Sequence, residues 1–225
     1  MTKLATWIAA LGASVLGGVA ANAQGMTLTS ADLKEGASFG NEQVFRGFGC
    51  TGANVSPALS WSGAPAATKS FAVTMYDPDA PTGSGWWHWV VFNIPPGTTS
   101  LPTGAGDVKK KLMPKGAIQG RTDYGAVGYG GPCPPPGDKP HHYQITIFAV
   151  DVDKLPDAKN DAVSAALVGY DLGSHTLAKA TLTGLYGRRT VPPQFGYWLG
   201  TRAKRGFGTR PSTWQNGLKD TGKLL

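Results

Sequence analysis

The chain has 225 residues, of which 41% are hydrophobic and 10% aromatic, enough for one domain with a substantial core. Its 32 Gly and 17 Pro argue against a helical bundle and favour a loop-rich, mostly β protein. The net charge of +7 lies entirely in residues 188–225, which carry eight Lys or Arg and one acidic residue, so the preceding residues are neutral overall.

The N-terminus has the pattern of a secretory signal peptide at residues 1–23. Lys3 supplies the positive charge, an apolar stretch follows at residues 4–20, and Ala-Asn-Ala at 21–23 forms a cleavage site before Gln24. The apolar stretch is too short and too rich in Gly and Ala for a membrane span, and no second candidate follows. We therefore expect a periplasmic or secreted protein, with no transmembrane segment in the mature chain.

Three segments dense in β-branched and aromatic residues are predicted strands, at residues 70–76, 87–94 and 143–152. Both faces of the third strand are largely apolar, which is typical of a sheet covered on both sides. Residues 39–62 read as loops between short strands, and residues 116–140 as a long loop of the kind that is usually functional.

Helical spacing appears after the third strand. Residues 161–168 predict one helix ending at Gly169, and residues 174–186 predict a second, capped by Ser174, with Leu177, Thr181 and Leu185 on one face. Residues 189–225 fit neither a helix nor a strand. We expect them to be a poorly ordered, basic extension of a domain at residues 24–188. A basic tail can bind nucleic acid or an acidic membrane surface, but the predicted export from the cytoplasm argues against these partners, so we expect a solvated appendage.

Polar residues gather at the ends of the predicted strands. Asp77 follows the first strand and His88 begins the second, so neighbouring strands would place a carboxylate beside an imidazole. His141 and Tyr143 are two residues apart at the start of the third strand and therefore share a face, whereas His142 points away.

A proline-rich loop precedes that third strand. Pro134, Pro135 and the next proline form a stiff wall without N–H donors. Beside it, His88, His141 and the Tyr143 hydroxyl can donate hydrogen bonds, as an anion requires. Anion binding should weaken as these two imidazoles lose their protons, so affinity should fall as pH rises through neutrality.

The same residues leave an enzymatic alternative open. Two histidines and Asp77 have the composition of a metal site, or of a general base with its orienting carboxylate. However, no nucleophilic Ser or Cys lies in a recognisable motif. We therefore expect a protein without catalytic activity or cofactor.

Cys50 and Cys133 are the only cysteines, and an exported protein with one pair is predicted to form a disulfide. Closing a loop of 83 residues contributes roughly 4–5 kcal/mol at most in the chain-entropy model. The bridge would pin the proline-rich loop.

The motifs together resemble the phosphatidylethanolamine-binding protein family, also called Raf kinase inhibitor proteins, and most closely its bacterial YbhB/YbcL branch. The resemblance is carried by Asp-Pro-Asp-Ala-Pro at 77–81, Gly-Trp-Trp-His-Trp at 85–89, and Gly-Gly-Pro-Cys-Pro-Pro at 130–135 with His141 and Tyr143. It covers residues 28–188, including Asn-Val-Ser-Pro at 54–57 and a closing helix at 177–187.

The resemblance implies a β-sandwich of two antiparallel sheets, one large and one small, with a few peripheral helices. It also implies a shallow pocket for phosphate-type anions or phospholipid headgroups, and an inhibitor-like role toward a kinase or protease. For an exported chain the target would be an exported or host protein, and the family allows a homodimer. The implied ligand-binding residues are Asp77, Pro81, Trp86, His88, Pro134, Pro135, His141 and Tyr143.

Other polar residues receive mostly structural interpretations. Arg121, Asp123 and Tyr124 lie near the pocket loop and could rim it. We expect Asp79 to stabilise its turn and His175 to serve a helix-capping turn.

Overall fold

The computed structural model describes residues 25–190, so the predicted signal peptide and nearly all of the predicted C-terminal extension lie outside the described residues. The elements in that range are, in chain order, β1 (Thr27–Thr29), β2 (Arg46–Gly47), β3 (Cys50–Thr51), β4 (Leu59–Ser62), β5 (Ser70–Asp77), β6 (Trp86–Ile94), β7 (Ser100–Leu101), β8 (Ile118–Gln119), β9 (His141–Val150), α1 (Ala165–His175) and β10 (Thr176–Tyr186).

The strands form a large and a small antiparallel sheet. The large sheet has the order β10-β9-β5-β6-β8, and the small sheet has the order β1-β4-β7. A separate two-stranded ribbon pairs β2 with β3. The predicted fold class is thus confirmed, and the three predicted strands are β5, β6 and β9 at the centre of the large sheet.

The large sheet is buried on both faces, as the apolar pattern predicted. One face packs Val73 and Ile147 against small-sheet residues that include Leu59 and Trp61. The other face packs Phe92 and its neighbours under α1 and the segment that leads into it. Burial of each such aliphatic side chain contributes roughly 1.5–3 kcal/mol, so the central strands form a rigid base for their own ends.

The helix lies later in the chain than its sequence pattern predicted. Residues 161–162 form a turn, and α1 begins after Ser164, whose hydroxyl accepts a hydrogen bond from the Leu167 N–H as an N-cap. Gly169 lies inside the helix rather than ending it. Within residues 25–190, no helix has the length and apolarity that crossing a bilayer requires.

The second predicted helix is wrong, because residues 176–186 form β10. Leu177, Thr181 and Leu185 are four residues apart, and since four is an even number this spacing places them on one face of a strand as well as of a helix. The core face of β10 instead carries Ala178, Ala180, Leu182 and Gly184, and the strand pairs with β9 over nearly its whole length. A Cβ at Gly184 would overlap the Phe39 ring, so this position has to be small.

Candidate ligand-binding site

Three strand ends meet at one edge of the large sheet. Because β5 lies antiparallel between β6 and β9, its C-terminal end is beside the N-terminal ends of both neighbours. Asp77 is the last residue of β5 and pairs with Trp86 at the start of β6. His141 and Tyr143 open β9. The topology therefore places a carboxylate, two imidazoles, an indole and a phenol together.

These residues line a pocket of about 160 Å³. All eight residues that the sequence nominated contribute to it, and the complete lining is Phe48, Asp77, Ala80, Pro81, Thr82, Trp86, His88, Tyr124, Cys133, Pro134, Pro135, His141 and Tyr143. The volume is below the roughly 300–1,000 Å³ of drug-sized sites, so the pocket suits a headgroup-sized molecule.

Asp77 anchors the floor of the pocket and is nearly inaccessible to solvent. Its Oδ2 accepts the Nδ1–H of His141 at 2.8 Å, and its Oδ1 accepts the Asp79 N–H at 2.9 Å. The other ring nitrogen of His141, Nε2, faces Oδ2 of Asp138 at 3.4 Å. Since carboxylates only accept hydrogen bonds, this arrangement fixes the orientation of the His141 ring.

His88 is a buried, neutral imidazole. Burial lowers its pKa from 6.5 to about 4, and the carbonyls of Gly130 and Gly131 and the charge of Asp77 only partly oppose that shift. Its Nδ1 donates to the Gly130 carbonyl at 2.8 Å. On a neutral ring Nε2 is then an acceptor, so the prediction that His88 donates to an anion as a cation is wrong. In the unliganded protein His88 therefore adds no positive charge to the pocket near neutral pH.

Two buried donors in the pocket, Nε1 of Trp86 and the hydroxyl of Tyr143, lack a well-formed hydrogen bond within residues 25–190. The Asp77 carboxylate nevertheless interacts with the Tyr143 hydroxyl closely enough to raise its pKa. Leaving a buried polar group unpaired costs about 1–3 kcal/mol, so both groups are poised to pair with a bound molecule. The pocket therefore combines unpaired donors with two acceptors, the Asp77 carboxylate and the bare nitrogen of His88.

Aromatic contacts hold these groups in place. The Tyr143 ring packs edge-on against His88 with centroids 5.0 Å apart, and Tyr124 packs edge-on against Trp86 at 5.4 Å. Burial, and secondly the charge of Asp77, raise the pKa of both tyrosines well above the ordinary value. Both hydroxyls remain protonated at physiological pH and can act as donors.

The proline-rich wall is fastened from two sides. The predicted disulfide is present, and it joins Cys133 in the wall to Cys50 in β3, with their Cα atoms 6.1 Å apart. Arg188 donates its Nε–H to the Pro134 carbonyl and a second N–H to the Phe48 carbonyl. The ribbon tip bearing Phe48 therefore stands beside the wall at the pocket mouth.

Comparison with known proteins agrees with this architecture. Residues 29–187 match the family model described as phosphatidylethanolamine-binding protein. The chain belongs to the phosphatidylethanolamine-binding protein family. It is a ligand-binding protein of that family, and the resemblance seen in the sequence motifs is confirmed.

Two relatives from Escherichia coli align with this chain over almost their full lengths. The UPF0098 protein YbcL of Escherichia coli is 53% identical over 166 residues, which is 74% of this chain and 90% of YbcL. YbhB of the same organism is 47% identical over 161 residues, which is 72% of this chain and 99% of YbhB. The crystal structure of E. coli YbcL, described as a member of the mammalian family, superposes with a TM-score of 0.71 over 73% of this chain and 99% of that one.

Of the three residues predicted to rim the pocket, the structure brings one to its lining. Tyr124 lines the pocket, but neither Arg121 nor Asp123 is among its lining residues. Asp123 instead accepts the backbone N–H of Trp87 at 2.7 Å. Phe48 and Arg188 were missed, because their proximity to the pocket depends on contacts distant in sequence.

The remaining polar residues behave as structural groups. Asp79 accepts both the backbone N–H and the Nδ1–H of the exposed His142, each at 2.7 Å. Although burial raises the pKa of Asp79, these bonds from His142 outweigh it and hold that pKa below the usual value. His175 does not cap a predicted second helix but ends α1, where its ring bonds Asp151 at 2.9 Å.

The site geometry offers little to a metal ion. Nδ1 of His88 is taken by a carbonyl and Nδ1 of His141 by Asp77. Across residues 25–190, no three His, Cys, Asp or Glu side chains are grouped so that they could hold a metal.

Proposed function

We propose that this protein binds a small phosphate-containing molecule or a phospholipid headgroup in the pocket, without chemical turnover. The observation that carries the proposal is the pair of pocket donors on Trp86 and Tyr143, which lack a well-formed hydrogen bond within residues 25–190 and which a ligand can pair. Oxygen atoms of a phosphate are strong acceptors for such groups.

The acceptors in the pocket favour a ligand with both signs of charge. Asp77 is a buried carboxylate beside the neutral ring of His88. A bare anion would be repelled by Asp77, whereas an ammonium group on the same ligand would be attracted to it. A phosphoethanolamine-like headgroup meets both requirements.

Calorimetric titration tests this preference with three probes: phosphoethanolamine, inorganic phosphate and ethanolamine. We expect the first to bind most tightly. Tyr143→Phe removes one hydrogen bond to a charged group, worth about 1.5–3 kcal/mol, so its affinity should fall roughly 10- to 100-fold. Tyr129→Phe is the matched control, since that buried hydroxyl bonds the Gln43 carbonyl outside the pocket lining. Absence of heat with all three probes, or equal losses in both variants, would refute the proposal.

We further propose that the protein is not an enzyme. The Cys133 sulfur is bonded in the disulfide and is not a free thiol. His88 donates a hydrogen bond to a backbone carbonyl and does not pair with a nucleophilic side chain. An esterase and phosphatase screen with metal analysis tests this part. Turnover that disappears in His141→Ala, or stoichiometric zinc, would establish the enzymatic alternative instead.

A periplasmic or secreted location is also part of the proposal, supported by the pattern of residues 1–23 and by the disulfide. Cell fractionation and N-terminal sequencing test it, with a mature terminus at Gln24 expected. In that compartment we propose that the protein regulates an exported or host protein, in the manner of a kinase or protease inhibitor. Inhibition assays on candidate targets and native mass spectrometry would test this role and a homodimer.

A further inference from the structure

A turn at residues 107–115 presents lysines and apolar side chains together on the surface. It holds four lysines and one acidic residue, Asp107. Asp107 shapes the turn by accepting the Lys109 N–H at its Oδ1 and the Lys110 N–H at its carbonyl. Within this basic turn, Val108 is 46% exposed and Leu112 is 43% exposed.

One groove is lined both by this turn and by residues beside the ligand pocket. Its lining includes Val108 and Lys109 of the turn together with Phe45, Arg46 and Tyr124. Tyr124 also lines the ligand pocket, and its ring stacks on Phe45 at 3.9 Å. A second depression beyond Val108 contains Lys111 and Leu112.

Phe48 forms the other apolar projection, on the ribbon tip at the pocket mouth. Its side chain is 68% exposed, and its φ of 50° lies in the left-handed region that bulky residues avoid. The disulfide at Cys50 and the Arg188 bond to the Phe48 carbonyl hold the tip in this conformation. The fold therefore maintains a strained backbone that directs an apolar ring into solvent.

We propose that the Phe48 tip and the 107–115 turn form a docking surface for an anionic phospholipid bilayer. Exposed apolar side chains on the tip and on the turn can enter the interfacial region, while the lysines of the turn contact anionic headgroups. The pocket lining does not include Val108, Lys109, Lys111 or Leu112. Docking is therefore separable from headgroup binding. In the docked state the pocket mouth faces the headgroups.

The chemistry of the surface favours a bilayer over a protein partner. Its apolar groups are single side chains separated by lysines. A protein interface usually presents one continuous apolar patch instead. Charge complementarity with an anionic lipid layer needs no precise register, and Lys side chains can extend their amines toward phosphates while their stems cover apolar surface.

Co-sedimentation of the full chain with lipid vesicles tests the proposal. Vesicles of equal parts phosphatidylglycerol and phosphatidylcholine should bind the protein, pure phosphatidylcholine should bind it far less, and added salt should weaken binding. Lys109→Ala with Lys111→Ala should weaken binding about 30-fold, and Leu112→Ser about tenfold. Calorimetric affinity for phosphoethanolamine should stay unchanged in both variants, which separates a failure of docking from a failure of the pocket.

Matched controls come from β10 and the segment that precedes α1. Leu177→Ser removes a side chain that is 41% exposed, close to the exposure of Leu112, and Lys154→Ala with Lys179→Ala removes two exposed lysines. All variants retain the basic residues of the C-terminal segment, so its contribution is common to every measurement. No binding to anionic vesicles, or equal losses in test and control variants, overturns the proposal. Lysine-dependent binding to a polyglutamate surface without vesicle binding would also overturn it, by assigning the surface to an acidic protein.

Discussion

The buried His88 should make stability depend on pH in a defined window. Its pKa is about 4 in the folded protein and 6.5 for an ordinary histidine. The native state therefore binds fewer protons than the unfolded state between these values, and stability rises with pH across that window. The stability that the neutral His88 ring contributes to the fold is fully present above pH 6.5 and is lost as pH falls toward 4. At 1.36 kcal/mol per pKa unit it amounts to about 3 kcal/mol.

His88→Asn removes the titrating ring and retains an N–H donor that can reach the Gly130 carbonyl. We would measure the free energy of unfolding by urea denaturation at several pH values without reductant. As the pH is lowered from 7 to 4, this free energy should decrease in wild type by about 3 kcal/mol more than in the variant. Carboxylates contribute equally to both proteins and cancel in the comparison. His142→Asn is the control, because that ring is exposed and the His88 contribution should persist.

Equal pH slopes in wild type and His88→Asn would refute the reasoning. If the asparagine variant does not fold, NMR titration of the His88 ring in the wild-type protein gives the same test. A midpoint near 6.5 would show that burial does not control its protonation.

Two further predictions concern the pocket wall. Gly131→Ala should destabilise the fold by roughly 1–3 kcal/mol or more, because its Cβ would overlap the Gln43 carbonyl oxygen. Gly97→Ala, whose Cβ would have no atom within 4 Å, should be nearly neutral in thermal unfolding. Cys50→Ser with Cys133→Ser should lower the free energy of unfolding by up to about 4–5 kcal/mol. Hydrogen exchange of the double variant should accelerate in residues 130–143 more than in the middle of β9, and uniform acceleration would contradict a local role for the bridge.

Much of the site could be predicted because its residues sit at the ends of strands with strong local patterns. β5, β6 and β9 are dense in β-branched and aromatic residues, and antiparallel neighbours bring Asp77, His88 and His141 to one edge. The family motifs cover the same positions. The disulfide followed from the cysteine count together with the predicted compartment.

Other features depend on contacts that no local pattern encodes. The spacing of Leu177, Thr181 and Leu185 suits a helix and a strand equally, and only pairing with β9 decides in favour of β10. The protonation of His88 is decided by its burial, and the role of Phe48 by a ribbon pinned to a wall more than eighty residues away in the chain.

Sequence alone thus determined the strand-forming segments, the chemical groups of the pocket and the family, because these depend on residue type and short-range periodicity. The tertiary structure decided which of those groups donate and which accept, and which apolar side chains remain in solvent. Those properties are set by burial and by neighbours distant in the chain, and both exist only once the sheets have packed.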